Sequence, residues 1–453
     1  MTQADASAVR APGGVAAVLS SRITLWIGFV AVHLWLGMLA LYGPGLPLGD
    51  VTFVYESWTS QIVDHGSWVG VSAPWVYPIV AIVPMLAAQA LGSELYTSTW
   101  LSLVMLLDAV GFAAITGWLA SRSRAGVAWW WLGFLLLLGP VAVGRIDSIT
   151  VPLAIVGVLL LATRPTAAAV VLTLATWVKV WPAALLAAIV VVSRERRDVV
   201  LTAAVTSAAV VAIPLAYGSG LNVLSFITEQ TGRGLQVEAP VTTIWLWRAL
   251  AGVPGTYVYY DQEILTYQVR GPGVDLAAAV MTPVLALVAL AVVSIGGWAA
   301  ARGVRADALL PPLALALVAT LIAFNKVGSP QFIMWLSVPV VLGLAARAAR
   351  RSASFATPAL LVLVLAALTQ AIYPYLYDGL LSLHPGMLLV ITARNLLLVV
   401  LLAWAVREVV RLGRARPRRR DNGVDRDRAD AQHPRSPIPS QRGGAAPHPL
   451  SKD

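Results

Sequence analysis

ITLWIGFVAVHLWLGMLALYGPGLPLGD (residues 23–50) frames the whole chain. Its first 21 residues, 23–43, carry no Asp, Glu, Lys or Arg. At 1.5 Å of rise per residue, such a run is long enough to cross the ~30 Å hydrocarbon core of a bilayer. It breaks at Gly43-Pro44-Gly45 and reaches Asp50, which opens GDVTFVYESWTSQIVDHGSWVG (49–70). That stretch holds Asp50, Glu56, Asp64 and His65, and no Lys or Arg. A chain 58% hydrophobic and 12% charged leaves the membrane and at once collects acids.

The same reading extends along the chain. Its mean hydropathy is +0.77, and further apolar runs lie at 200–218, 276–301, 308–324, 358–373 and 387–406. These predict an all-α polytopic membrane protein. The net charge of +10 does not point to nucleic acid. The basic residues sit in short clusters, SRSR (121–124), SRERR (193–197), RAARR (347–351) and RLGRARPRRR (411–420), as orientation signals do. Without cysteine there is neither a disulfide framework nor a thiolate metal site. There is no GxxxxGK[ST], HExxH or Gly-rich nucleotide loop, which argues against an ATPase or a zincin protease. A carrier that needs no nucleotide stays open.

Arg10 and Arg22 place residues 1–22 in the cytoplasm, with the first helix retained. Residues 23–407 form the membrane domain, with 11 to 13 spans. Outer segments are expected at 44–77, 219–272, 324–332 and 373–386, and residues 408–453 read as a disordered basic cytoplasmic tail. In 44–77, Val54, Trp58 and Ile62 have helical spacing and predict an amphipathic helix at the membrane surface. If 76–92 and 98–120 both cross, SRSR falls outside; either one of them doubles back or that loop breaks the charge rule. The pieces 127–143, 149–162, 167–178 and 180–192 are short for full spans, as broken helices beside a polar cavity are.

Charges inside spans cost ~2.5–3.5 kcal/mol on insertion scales and are paired or line a cavity. Arg145 in VGRIDS, Lys179 in TWVKVWP and Lys326 in AFNKVGSP are closely flanked by apolar sequence. Three cations on one cavity would hold a phosphate or pyrophosphate, and carboxylates opposite would deprotonate a hydroxyl. Blander readings stand beside this one. Lys179 also fits snorkelling to the interface, and Arg145 fits pairing with Asp147 alone. Asp108 fits a structural partner for another buried polar group, and His33 a packed or interfacial residue. Glu56 and Asp64 fit a solvated helix face.

Four elements in order carry a resemblance: GDVTFVYESW…HGSW…WVYP (49–78), GRIDS (144–148), ATWVKVWPAALL (175–186) and FNKVGSPQFIMW (324–335), with GRGLQVEAP (232–240) as a looser fifth. Over about residues 20–405 the chain resembles the polyprenyl-phosphate-mannose-dependent mannosyltransferases of GT-C fold, glycosyltransferase family 87 type. The resemblance implies a GT-C-like membrane domain with its active site on the extracytoplasmic side of a bacterial plasma membrane. It implies inverting transfer of mannose from a polyprenyl-phosphate donor to a glycolipid or glycan acceptor, with membrane lipids as surroundings and no cofactor or metal. Asp50 would be the general base, and Arg145, Lys179, Arg233 and Lys326 would bind the donor phosphate. Tyr55, Trp58, Tyr77, Asp147, Gln236, Glu238, Asn325 and Gln331 would contact the sugar or acceptor. One position departs: Val76 precedes Tyr77-Pro78 where relatives often carry a carboxylate. The alternative is a transporter or flippase of a lipid-linked saccharide or organic anion, but the repeated halves it should show are absent from the sequence.

Overall fold

The computed structural model describes residues 14–118, 124–349 and 354–415. The basic tail past residue 415, and parts of the 121–124 and 347–351 loops, lie outside the described residues. Residues 408–414 do not begin the tail; they complete the last helix, Pro385–Arg414.

Ser21 starts the first span. Its hydroxyl accepts from the Thr24 amide at 3.1 Å and so caps the helix Arg22–Tyr42. Among the described residues nine helices are long and apolar enough to cross a membrane. Asp147–Leu160, Pro165–Val178 and Ala183–Val192 are shorter. Their limits follow from the sequence. Gly139, at φ 72°, ends the helix before them. Pro165 occupies the first turn of one, where its missing N–H costs nothing. Pro182 stands just before the third. Fourteen residues rise only ~21 Å, less than the ~30 Å core, and a recess is left where these helices stop.

The two ends of the bundle differ in charge. At one end Arg124, Leu161, Arg194, Asp307 and Ala349 line a single cavity of about 340 Å³, and Trp129 Nε1 donates to Leu19 O. At the other end Asp50, Arg145, Lys179, Lys326 and Tyr373 gather around two cavities. The fourth short apolar helical stretch, Ile79–Leu91, decides the topology. Trp100, in the next long helix, packs its ring against Tyr55 of the first outer segment with centroids 5.4 Å apart. Trp100 Nε1 donates to Val143 O beside Arg145, at 2.9 Å. Ile79–Leu91 therefore enters and leaves at the same end. This settles the counting conflict in favour of a re-entrant segment and puts Arg124 at the end that holds Leu19.

The first outer segment forms the expected helix, as a π-helical turn Asp50–Tyr55 running into Glu56–His65. It buries Val51, Tyr55, Thr59 and Ile62 and leaves Asp64 exposed. The second outer segment adds an antiparallel hairpin to the otherwise helical fold, β1 (Tyr257–Asp261) and β2 (Thr266–Arg270). Ser225 and Asn222 tie this segment to Trp75 and Val71 of the first. Inside the bundle His33 Nε2 lies 3.0 Å from Asp108 Oδ2, so the two polar residues of neighbouring spans are each other's partners.

Candidate functional site

Asp50 is the first residue of the outer helix, delivered by the tight 43–49 connection. Arg145 Nη1 lies 3.2 Å from its Oδ1. The same guanidinium donates to Tyr373 Oη at 3.0 Å and to Gly144 O at 3.3 Å. Two glycines allow this close approach. A Cβ on Gly144 would stand 2.6 Å from Pro47 O, and one on Gly45, at φ 79°, 2.7 Å from Pro374. Tyr55 braces the turn by accepting from the Ile146 amide at 3.2 Å.

Two of the three shorter helices meet in a second ion pair: Asp147 opens one, Lys179 follows the end of the other, and Lys179 Nζ lies 2.7 Å from Asp147 Oδ2. Trp335 Nε1 takes the other carboxylate oxygen at 2.6 Å, and Trp335 stacks on Trp181 with centroids 5.5 Å apart. Asp147 is fully buried and lines neither cavity. The expectation that it touches sugar gives way: both its oxygens are engaged, and its role is to hold Lys179. Lys179 neither snorkels nor stands alone, and its ammonium sits over the rings of Phe332 and Tyr77 at 5.2 and 5.7 Å.

The loop at 325–329 is latched onto residues 235–239. Gln236 N donates to Lys326 O, while Gln236 Oε1 accepts from Gly328 N at 3.1 Å and Ser329 Oγ at 3.3 Å. A Cβ on Gly328 would meet Ala239 N at 2.2 Å. On the other side, residues 235–237 pair with β2 through Val237 N to Tyr267 O and Val269 N to Leu235 O. One short segment thus connects the hairpin to the loop of Lys326. It also presents Glu238, which is 2% exposed and whose Oε2 has no hydrogen-bond partner. Burial pushes the Glu238 carboxyl up to about 7, with Arg394 and Tyr377 offsetting part of that effect. Burial, helped by nearby Arg233, lowers the Lys326 ammonium.

These residues line two joined cavities. One, about 410 Å³, carries Lys179, Arg233 and Lys326, no acid, and Asn325. It reaches Thr282 and Leu285 of the long helix Val274–Ala301, which buries little of its surface. The other, about 450 Å³, carries Asp50, Glu229, Glu238 and Glu263 with Arg145 and Arg233, together with Tyr55, Trp58 and Gln236. Val76, Tyr77, Arg233, Ser329 and Gln331 belong to both walls. Asp50, Arg145, Lys179 and Lys326, expected in one cavity, are divided between the two. Among the described residues no His, Cys, Asp or Glu group has the arrangement a metal needs.

Sequence reasoning overlooked Tyr373, Tyr377, Trp335, Arg394 and the hairpin. Arg394 carried a signal: it is a lone cation inside the apolar run MLLVITARNLLLVV, and such residues are paired or functional.

Residues 75–330, more than half of the chain, match the sequence profile of glycosyltransferase family 87. No curated protein sequence matches. Among solved structures, ArnT from Cupriavidus metallidurans in the apo state superposes with a TM-score of 0.45 at 14% identity, over 87% of this chain and 78% of that one.

Proposed function

Because the chain belongs to glycosyltransferase family 87, we propose that it transfers mannose from a polyprenyl-phosphate donor to a hydroxyl of a glycolipid or glycan. Family membership sets aside the carrier alternative. The observation that carries the finer reading is the separation of charge between the joined cavities. One holds three cations and no acid and reaches a long apolar helix that buries little of its surface; the other holds four acids against Arg145 and the shared Arg233. A phosphate on a lipid tail fits the first, and a neutral hydroxyl compound fits the second.

The acceptor hydroxyl loses its proton to Asp50 while its oxygen attacks the anomeric carbon. The bond from that carbon to the phosphate oxygen breaks with inversion, and polyprenyl phosphate leaves. A phosphate leaving group needs charge stabilisation more than a proton; Lys326, Arg233 and Lys179 supply it, so the reading requires no metal. Arg145 is already engaged by Asp50. Its role in this reading is to hold the base, not the phosphate.

The basic residues at the opposite end support an extracytoplasmic site. Arg124 and Arg194 line that end's cavity, and short basic loops stay in the cytoplasm. The test is transfer in membranes from radiolabelled polyprenyl-phosphate-mannose to a panel of acceptors. Label moving into a glycolipid or glycan supports the reading. Label moving only from another polyprenyl-phosphate sugar replaces mannose as the donor sugar.

A further inference from the structure

Four tyrosines form a row along one wall of the acidic cavity. Tyr260 and Tyr267 face each other across the hairpin with ring centroids 4.9 Å apart. Tyr267 meets Tyr377 at 5.9 Å, and Tyr377 meets Tyr373 at 5.3 Å. Tyr373 touches Arg145, which holds Asp50. The row therefore leads from the hairpin to the proposed base, and all four rings line the cavity. Glu238, buried and with one oxygen unpartnered, lines it too.

The hairpin is fixed in place. Asp261 Oδ1 accepts from the amides of Glu263 and Ile264 at its tip, and Gln268 Nε2 donates to Asp261 Oδ2 at 3.0 Å.

We propose that this row and Glu238 form a second sugar subsite, selecting a neutral saccharide of at least two units as acceptor. The inference rests on the proposed transfer only for the sugar that sits at Asp50. Aromatic faces stack on the apolar C–H faces of sugar rings while their hydroxyls keep polar contacts. The unpartnered Glu238 oxygen takes a sugar hydroxyl as donor, and an acceptor lacking that hydroxyl leaves it unpaired. Asp50, Glu229 and Glu263 outnumber Arg145 and Arg233 on this cavity and disfavour an anionic acceptor.

The full chain in detergent is titrated, without donor, with octyl mannoside, octyl dimannoside, octyl maltoside and a phosphorylated octyl dimannoside, following intrinsic fluorescence. Initial transfer rates are measured in parallel. A neutral disaccharide should bind at least tenfold more tightly than the monosaccharide and than the phosphorylated disaccharide. Tyr260→Ala, at a ring 45% exposed and so without a folding hazard, and Glu238→Gln should each bring the disaccharide-to-monosaccharide ratio close to one. Equal affinity for one and two sugars in the unaltered chain overturns the proposal. So does tighter binding of the phosphorylated compound, or a Tyr260→Ala chain that keeps its length preference. Length-dependent binding without any transfer would sink the transfer reading and leave the subsite standing; transfer without length dependence does the reverse.

Discussion

Arg145 Nη1 stands 3.2 Å from Asp50 Oδ1, with the arginine side chain 8% exposed and the aspartate 38%. A buried cation thus holds a carboxylate that still opens onto the acidic cavity. The pair joins residues 95 positions apart and depends on the Gly144 and Gly45 contacts described above. In the proposed reaction Asp50 acts on the acceptor, and Arg145 fixes its charge and direction.

Arg145→Met should therefore lower kcat and leave the donor KM nearly unchanged. Removing a true phosphate contact would do the opposite. Initial rates over a donor series separate the two. A donor KM raised tenfold with kcat intact would return Arg145 to the phosphate.

Lys326→Met and Arg233→Met should raise the donor KM. Hydrogen bonds to charged groups contribute about 1.5–3 kcal/mol each, roughly ten- to hundredfold in affinity. Neither change should alter the acceptor KM by more than about threefold. Acceptor KM rising in step with donor KM would contradict the assignment of the cationic cavity to the phosphate.

Asp147→Asn leaves Lys179 without its counter-charge, and breaking a buried pair costs about 3–5 kcal/mol. Its melting temperature should fall well below that of Asp50→Asn, whose carboxylate is more exposed. The double change Asp147→Asn with Lys179→Met should recover much of the stability without restoring transfer. Full activity in Asp147→Asn would mean that Lys179 needs no such support.

Much of this arrangement was legible in the sequence. Apolar run lengths reveal spans, and the polar interruptions at Arg145, Lys179 and Lys326 mark where helices stop at the site. Pairing was not legible. Arg145 and Asp147 are two residues apart and invite pairing with each other, yet each finds a partner on a distant segment, Asp50 and Lys179. Run length left 76–92 open, because a segment that doubles back is as apolar as one that crosses. The contacts of Trp100 with Tyr55 and Val143 show which it is. TYVYYDQEILTY (256–267) shows its aromatic residues but not their pairing; Tyr260 stands opposite Tyr267 in a hairpin held against residues 235–237.

Glu238 links pH to stability. In the unfolded chain its carboxyl titrates near 4.5, and in the folded protein burial raises it to about 7. Between those values the folded protein keeps a proton that the unfolded chain has lost. The stabilisation is thus complete below about 4.5 and lost as pH rises through 7, an effect on the order of 3 kcal/mol. Glu238→Gln stays neutral throughout. Its melting temperature relative to the unaltered chain should rise between pH 5 and pH 8. A constant difference across that range would mean that Glu238 is already ionised at pH 5.

In the proposed reaction Asp50 is the base. Asp50→Asn keeps the size of the side chain and removes its capacity to accept a proton, a contribution of roughly 10²–10⁴-fold in rate. The decisive measurement is the initial rate of mannose transfer in membranes at matched protein levels, for Asp50→Asn, Glu56→Gln and Glu238→Gln, with donor binding followed in parallel. Asp50→Asn should lose at least a hundredfold with donor binding retained, Glu238→Gln should lose less, and Glu56→Gln should change little. Asp50→Asn working at more than a tenth of the unaltered rate, while either glutamate variant is inactive, would contradict that role for Asp50.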